Sequence, residues 1–317
     1  MRPFRFLIDT TEHLDGPALA AFARRAEALG YSALMIPDHL LGSYAPIPFL
    51  TTAAAATETL RVGAFVFNNN LRHPAVLAQD LATLDRLSGG RLEVGLGAGW
   101  NKPEHDATGL PFEPVGTRVA KLAEAIEVFQ GCFGEERFSF AGEHYTITDY
   151  DAQPKPVQRP HPPIFIGGGG RRLLTLAARK AQIIGLSPRI AKDHKGLPTL
   201  DLPSVTAAAT EEKLGWIRAA AGDRFAELEL NSYPGPGPMI LTGDARGEAG
   251  RRADKLSERT GVRLTVEEIM ESPHVFIGSR KELTQKFIDL RERFGISSFL
   301  LDDMETFAPI VEELAGT

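Results

Sequence analysis

The sequence is poor in the features that mark several classes of protein. Its 317 residues include a single cysteine, Cys132. One thiol excludes an internal disulfide and is typical of a reducing compartment. No apolar run is long enough to span a bilayer, and the N-terminal segment reaches charged residues too early for a signal peptide. We therefore expect a soluble cytoplasmic protein with no membrane partner.

An excess of charge of one sign is also lacking. The 35 Lys and Arg residues and 41 Asp and Glu residues are interspersed and give a net charge of −6, so no basic surface for nucleic acid is indicated. The triplet Glu104, His105 and Asp106 superficially resembles a set of metal ligands. Adjacent side chains on a helix diverge, however, and the eight histidines show no HExxH or HxxxH spacing. The sequence predicts neither a nucleic-acid partner nor a metal.

Strands and helices alternate from one end of the chain to the other. Such alternation predicts a parallel sheet with helices outside it, and eight units at this length predict a (β/α)8 TIM barrel. A doubly wound open sheet is the alternative, but its GxGxxG fingerprint is missing after the first strand. The predicted strands are residues 4–8, 33–36, 61–67, 92–96, 163–166, 183–186, 228–233 and 297–301. Residues 187–203, after the sixth of these strands, are predicted as a loop.

Two segments interrupt the alternation. Residues 134–162 follow the fourth predicted helix (117–133) and alternate like a hairpin before a proline-rich stretch. Residues 234–278 follow the seventh strand, open with the sequence PGPGP and continue as a charged helical excursion. We predict a single domain over residues 1–317 with these two insertions, which would determine the substrate. Arg5 breaks the apolar pattern of the first strand, and we place it at the mouth of the barrel.

Four consecutive glycines stand between a predicted strand and a predicted helix: Gly167, Gly168, Gly169 and Gly170. Glycine lets the backbone approach a ligand closely, and a helix N-terminus attracts anions. The run therefore predicts a phosphate site. A sharp turn that binds nothing is the alternative, and the motif alone leaves it open.

Polar residues follow several other predicted strands. Ligands of such barrels bind at the C-terminal ends of the strands, so these residues should share one mouth. Together with the glycine run, they would suit a large flat cofactor with a phosphate tail. They are Asp9 and Thr10, Asp38 and His39, residues 68–70, and residues 97–101.

At these residues the sequence resembles the bacterial luciferase-like monooxygenase superfamily, especially its deazaflavin (coenzyme F420)-dependent oxidoreductases. The similar elements cover nearly the whole chain in the same order. They are PDH at residues 37–39, RVGAFVF with NNNLRHPAVLAQDLATLDRLSGGR, LEVGLGAGWNKPE, PIFIGGGGRRLLTLAARKA, and SPHVFIGSRKELTQKFIDLRERFGISSFLL.

The resemblance implies a set of cofactor-binding residues. The glycine run would hold the phosphate, and Ala64 and Phe65 fall where relatives have a bulge with a non-proline cis peptide beneath the ring. Asn68 would offer its amide to the polar edge of the ring, although such residues also form turns. The full set is Asp38, Ala64, Phe65, Asn68, Gly97, Ala98, Gly99, Gly167, Gly168, Gly169 and Gly170.

His39 matches the base of the sugar-phosphate dehydrogenases in this superfamily. An imidazole titrates near neutral pH and suits proton transfer, but a loop histidine without that role is the alternative. We expect Asp38 to orient His39. Trp100 stands where those dehydrogenases carry a glutamate acid, so oxidation of glucose 6-phosphate is not expected. Trp100 and Asn101 should instead line the substrate pocket.

Three functional hypotheses follow. The first is hydride transfer between coenzyme F420 and a small organic substrate. The second is an FMN-dependent monooxygenase that uses reduced flavin and O2, and the third is a flavin-binding protein without turnover. A cofactor-free lyase or isomerase that grips a substrate phosphate remains a further alternative. The family likeness also implies a homodimer.

Overall fold

Eight parallel strands form a closed barrel in the computed structural model, which describes residues 1–10, 12–192 and 198–317. The strands are β1 (Arg5–Ile8), β2 (Ala33–Ile36), β3 (Arg61–Ala64), β4 (Leu92–Gly97), β5 (Ile164–Gly168), β6 (Ile183–Leu186), β7 (Glu229–Ser232) and β8 (Ile296–Leu301). Neighbouring strands pair in the order β3-β2-β1-β8-β7-β6-β5-β4, and pairing of β3 with β4 closes the ring. The predicted (β/α)8 barrel is confirmed.

Helices connect these strands, and several of them begin at a capping side chain. Asp15 caps α1 (Gly16–Ala28) by accepting a hydrogen bond from the Ala18 N–H at 2.9 Å. Ser279 and Glu282 form a capping box. The helices are α1 (Gly16–Ala28), α2 (Pro46–Ala55), α3 (Pro74–Leu87), α4 (Lys102–Thr108), α5 (Val115–Phe133), α6 (Arg171–Lys180), α7 (Ala207–Ala221), α8 (Ala245–Thr260), α9 (Val266–Glu271), α10 (Arg280–Phe294) and α11 (Met304–Leu314), with 3₁₀ turns at Leu202–Val205 and Gly222–Glu227. Within the described residues, no helix has both the length and the apolar character needed to cross a membrane.

Two strands end more than one residue away from the predicted position. Residues 61–67 were expected as one strand, but β3 stops at Ala64 and the chain resumes pairing at Phe67–Asn68, beside β4. β5 runs on into the glycine run, because Gly167 and Gly168 pair with Gly185 and Leu186 of β6. Only the last two glycines therefore form the turn into α6.

The insertion at 134–162 contains the expected hairpin, with strands Phe138–Ala141 and Thr146–Tyr150. Glu124 of α5 holds the hairpin turn by accepting three backbone N–H groups, those of residues 143–145, at 2.9 to 3.1 Å. The helix that precedes this insertion is the fifth rather than the fourth, because the short helix α4 comes before it.

The insertion at 234–278 contains α8, α9 and a small parallel pair, Ile240–Leu241 with Ile277–Gly278. Its residues Ala253, Leu264 and Ile269 belong to an apolar cluster that also includes Leu202 and Val205 from the segment before α7. Residues 187–203 were predicted as a loop, yet Ile190–Lys192 pairs antiparallel with Pro198–Leu200. Residues 193–197 of that predicted loop lie outside the described residues. That the whole chain is one domain stays a prediction.

Arg5 lies at the N-terminal end of β1 and therefore at the floor of the barrel, so placing it at the mouth was wrong. Its guanidinium donates to both oxygens of Glu229, at 2.8 and 3.0 Å, and also contacts Glu93. Arg61 reaches the same Glu93 at 2.7 Å. Burial alone would lower the pKa of Arg5, but the two carboxylates raise it above its ordinary value. The floor is thus closed by a buried, paired ionic network.

Replacing Arg5 with methionine leaves Glu229 and part of Glu93 buried without a cation. We expect Arg5→Met to lower the free energy of unfolding by about 3–5 kcal/mol in urea titrations. The matched control is Arg25→Met, because Arg25 pairs with Glu305 at 2.7 Å but both side chains are more than half exposed. That control should leave the free energy of unfolding nearly unchanged, because solvent screens an exposed pair. Equal losses in the two variants would contradict the role given to the network.

Candidate active site

A small cavity of about 80 Å3 opens at the C-terminal ends of β2, β3 and β4. Six of its seven lining residues were predicted as site residues from the sequence; the seventh, Val66, was not. The lining consists of Asp38, His39, Phe65, Val66, Asn68, Gly99 and Trp100. The barrel therefore brings together residues that are up to about sixty positions apart in the chain.

His39 is held by a carboxylate. Its Nδ1 lies 3.0 and 3.2 Å from the two carboxylate oxygens of Glu104, which also accepts the Leu40 N–H at 2.9 Å. Glu104 is completely buried, in the first turn of α4. An ionised carboxylate only accepts hydrogen bonds, so an ionised Glu104 requires the proton on Nδ1 and leaves Nε2 as the nitrogen available to a ligand. Trp100 packs edge-to-face on this ring, with centroids 5.6 Å apart.

Asp38 does not orient His39, and that prediction was wrong. The Asp38 carboxylate is 3% exposed and forms a two-point ion pair with Arg72, at 2.6 and 3.0 Å. It also accepts the Asn68 N–H at 2.9 Å. Both oxygens are thereby used to tie the end of β2 to the turn after β3. The orienting role belongs to Glu104.

The triplet that contains Glu104 diverges, as expected for neighbours on a helix. The His105 ring turns to the carbonyl oxygen of Pro111, at 2.9 Å. Asp106 forms an exposed pair with Lys102. Of the three side chains, only that of Glu104 contacts His39.

The segment 68–70 forms a turn that its own amides hold together. Asn68 Oδ1 accepts hydrogen bonds from the N–H and side-chain amide of Asn70, at 3.1 and 2.9 Å. Asn70 also donates to the Ala98 carbonyl at 2.8 Å, while its own Oδ1 is buried with no partner among the described residues. Gly99 adopts φ +72°, and a Cβ there would lie 2.5 Å from Asn68 Oδ1. Only glycine allows this close contact between the two loops.

The bulge after β3 carries a cis peptide between Phe65 and Val66. The resemblance implied this feature at Ala64 and Phe65, so the observed bond lies one residue later. Val66 packs tightly against β4, where a Cβ on Gly97 would be 2.4 Å from its side chain. Ala64 and Ala98 are buried behind the cavity and do not line it.

The glycine run lies beside this bulge, since a Cβ on Gly167 would be 3.6 Å from Val66. Gly169 is buried against the Ser187 carbonyl. Gly170 caps α6 without any side-chain hydrogen bond, and a Cβ there would meet nothing within 4 Å. The first N–H groups of a helix have no partner inside it, so those of α6 can bind an anion in this open space.

These features fit a phosphate-bearing cofactor. The open space at Gly170 would take the phosphate, and the buried, unpartnered Oδ1 of Asn70 offers an acceptor to a ligand beside Gly99. Asn101 precedes α4 as its N-cap residue, next to Trp100 but outside the lining of the small cavity.

A second cavity, of about 740 Å3, occupies the other side of the mouth, at the ends of β1, β7 and β8. Its wall includes Asp9, Tyr233, Asp302 and the PGPGP segment at 234–238. Tyr233 stacks on Phe65 with ring centroids 5.6 Å apart and an interplanar angle of 16°. Phe65 itself lines the small cavity, so this aromatic pair separates the two spaces.

Sequence reasoning missed Glu104, Arg72, Tyr233 and Asp302 as site residues. Tyr233 and Asp302 directly follow β7 and β8, and this position was the available signal. Glu104 was considered only as a metal ligand, although it ends the segment LEVGLGAGWNKPE on which the resemblance depends. Nothing in the local pattern indicates that Arg72 pairs with Asp38.

Several proteins of known activity are similar in sequence. An F420-dependent glucose-6-phosphate dehydrogenase of Kineococcus radiotolerans is 36% identical over 268 residues, covering 75% of each chain. An FMNH2-dependent dimethylsulfone monooxygenase of Pseudomonas putida is 29% identical over 289 residues, covering 82% of this chain and 76% of the other.

Among solved structures, the fold matches the coenzyme F420 dependent tetrahydromethanopterin reductase from Methanopyrus kandleri. The TM-score is 0.76 at 19% identity, with 99% of this chain and 98% of that chain covered. The family model described as "Luciferase-like monooxygenase" matches residues 5–197. With its barrel, its mouth and these relatives, the chain belongs to the luciferase-like monooxygenase family.

Proposed function

We propose that this protein is a coenzyme F420-dependent oxidoreductase that transfers a hydride between the cofactor and a small organic substrate. One observation carries the proposal: the His39 ring lines a cavity at the barrel mouth while Glu104 holds its Nδ1 from behind. Hydride transfer to or from a C–O or C–N bond requires a matching proton transfer, and a histidine held in this way can supply it.

Different residues of this chain would bind the cofactor and transfer the proton. When bound, coenzyme F420 would supply or accept the hydride. The N–H groups at the start of α6, next to Gly170, would hold the phosphate of the cofactor. Asn70 Oδ1 would accept a hydrogen bond from another part of the cofactor. His39 Nε2 takes the proton of the substrate in the oxidative direction and returns it in the reductive direction. Glu104 stabilises the imidazolium that forms and keeps the ring in place.

Relatives favour the deazaflavin over FMN. F420-dependent dehydrogenases are 36% and 32% identical over about three quarters of this chain, against 29% for the FMNH2-dependent enzyme. The longer match of the latter supports the second candidate, an FMN-dependent monooxygenase. Trp100 packs edge-to-face with His39 at the position where the sugar-phosphate dehydrogenases carry a glutamate acid. This replacement supports a substrate other than glucose 6-phosphate. We further propose that Trp100 and Asn101 contact the substrate and that the protein works as a cytoplasmic homodimer.

Titration of the purified protein with F420 and with FMN tests the cofactor. We expect F420 to bind at micromolar concentrations and more tightly than FMN. Gly170→Asp should weaken F420 binding at least about tenfold more than Gly170→Asn, because both side chains cap the helix but only aspartate repels a phosphate. Both variants should keep or raise the melting temperature. Tighter binding of FMN would favour the monooxygenase, and retention of neither cofactor would overturn the proposal.

Bleaching of F420 by a panel of alcohols and amines tests the role of His39. His39→Asn should lower the rate at least about 100-fold, and Glu104→Gln about tenfold, without weakening F420 binding. His161→Asn is the matched control, because His161 lines neither cavity and turns to the Pro162 carbonyl at 2.8 Å. Full activity of His39→Asn would exclude the proton transfer proposed here.

A further inference from the structure

The large cavity between β1, β7 and β8 is acidic. Among its described lining residues there is no lysine or arginine, while five carry carboxylates: Asp9, Glu12, Asp302, Asp303 and Glu305. Two of these five carboxylates have partners within the protein. Asp303 caps α11 by accepting the N–H groups of residues 305 and 306, at 3.1 and 3.0 Å. Glu305 forms the ion pair with Arg25.

Asp9 and Asp302 are left to the cavity. None of the described residues, apart from Asp9 itself, donates a hydrogen bond to the Asp9 carboxylate, although this side chain is half-buried. Among the other described residues, Met239 donates its N–H to Asp302 at 2.7 Å. Arg252 of the neighbouring insertion turns its guanidinium to the carbonyls of Pro236 and Pro238, at 3.2 and 2.8 Å. Its hydrogen bonds therefore go to the PGPGP segment, and it acts on Asp302 only through its charge, which lowers the pKa of that carboxyl against the larger effect of burial.

The surroundings of the cavity disfavour the charged form of both aspartates. Burial, together with repulsion by Asp302, raises the pKa of Asp9 to about 6. Burial likewise raises the pKa of Asp302. The pKa of Tyr233 is also raised, by burial and by the charge of Asp9. A cation placed between the two aspartates would relieve this repulsion.

An aromatic surface adjoins the two carboxylates. Tyr233 is 40% exposed, and Phe22 also lines the cavity. Aromatic faces together with carboxylates are the groups that recognise organic ammonium ions. A volume of about 740 Å3 is that of a small-molecule pocket.

We infer that this cavity binds the cationic end of the substrate, as a protonated amine or a quaternary ammonium group held by Asp9, Asp302 and Tyr233. The inference rests on the proposed function, since it assigns this half of the mouth to the substrate. The predicted cofactor residues stand at the ends of β2 to β5, and the cavity occupies the ends of β7, β8 and β1. Phe65 lines the small cavity and stacks on Tyr233 of the large one, so a substrate anchored at Asp9 would extend past this pair toward His39.

Neutralising Asp9 should stabilise the protein above pH 6. The unfolded chain ionises this carboxyl near pH 4, whereas the folded chain keeps the proton up to a pH of about 6. The free energy of unfolding therefore falls as the pH rises between these values and stays lower above them. We expect Asp9→Asn to melt at a higher temperature than the parent protein near neutral pH and at the same temperature at about pH 4. An unchanged or lower melting temperature near neutral pH would show that Asp9 has a counterion.

Calorimetric titration of the cofactor-free protein with three probes of one carbon skeleton tests the binding itself. The probes are phenylbutylamine, phenylbutanol and phenylbutyrate, used near neutral pH. We expect the amine to bind at least about tenfold more tightly than the alcohol and the carboxylate to bind most weakly. Asp9→Asn and Asp302→Asn should each remove most of the preference for the amine and leave the binding of the alcohol unchanged. Glu292→Gln, an exposed site on α10, controls for net charge and should change nothing.

The outcomes separate this inference from the proposed function. Equal binding of amine and alcohol would overturn the inference, even if F420 binds as proposed. Binding of Ca2+ at the two aspartates without any preference for the amine would also overturn it. A preference for the amine that Asp9→Asn abolishes would support it, even if neither flavin is retained.

Discussion

The ion pairs between Arg5 and the carboxylates of Glu93 and Glu229 close one end of the barrel, and the arrangement of the opposite end depends on them. These residues belong to β1, β4 and β7, which the network ties together at the floor. Each charge is costly to bury alone, so the network is satisfied in only one relative placement of the three strands. That placement fixes where the chain emerges at the mouth, and hence where Asp9, Gly97 and Tyr233 stand.

At the mouth, polar groups that have partners within the protein can be told from those that remain available to ligands. Asp38 pairs with Arg72, Asp303 caps the start of α11, and the amides of the 68–70 turn bond largely to one another. His39 keeps one ring nitrogen, and Asp9 keeps its carboxylate. The stacked rings of Phe65 and Tyr233 stand between these two groups, so the proposed proton transfer and the proposed binding of a cation would occupy adjacent but distinct spaces.

The sequence predicted the barrel well because its signal is periodic and local. Apolar strands, capped helices such as α1, and glycines at strand ends each report on a few neighbouring residues. The partners of polar side chains were predicted poorly. Asp38 and Arg72, or His39 and Glu104, meet only because separate loops converge, and no periodicity encodes which loops meet. The end of β5 was missed for the opposite reason: glycine suggests a turn, yet the neighbouring strand β6 supplied pairing partners for Gly167 and Gly168.

The PGPGP segment has a consequence for how the family could diversify. It forms the outer wall of the acidic cavity, and it belongs to an insertion whose helices α8 and α9 share an apolar cluster with Leu202 and Val205. His39 and the glycine run stand on other loops, so mutations that reshape this wall replace none of the residues that carry them. Preference for new compounds can evolve there while the reactive apparatus is inherited unchanged.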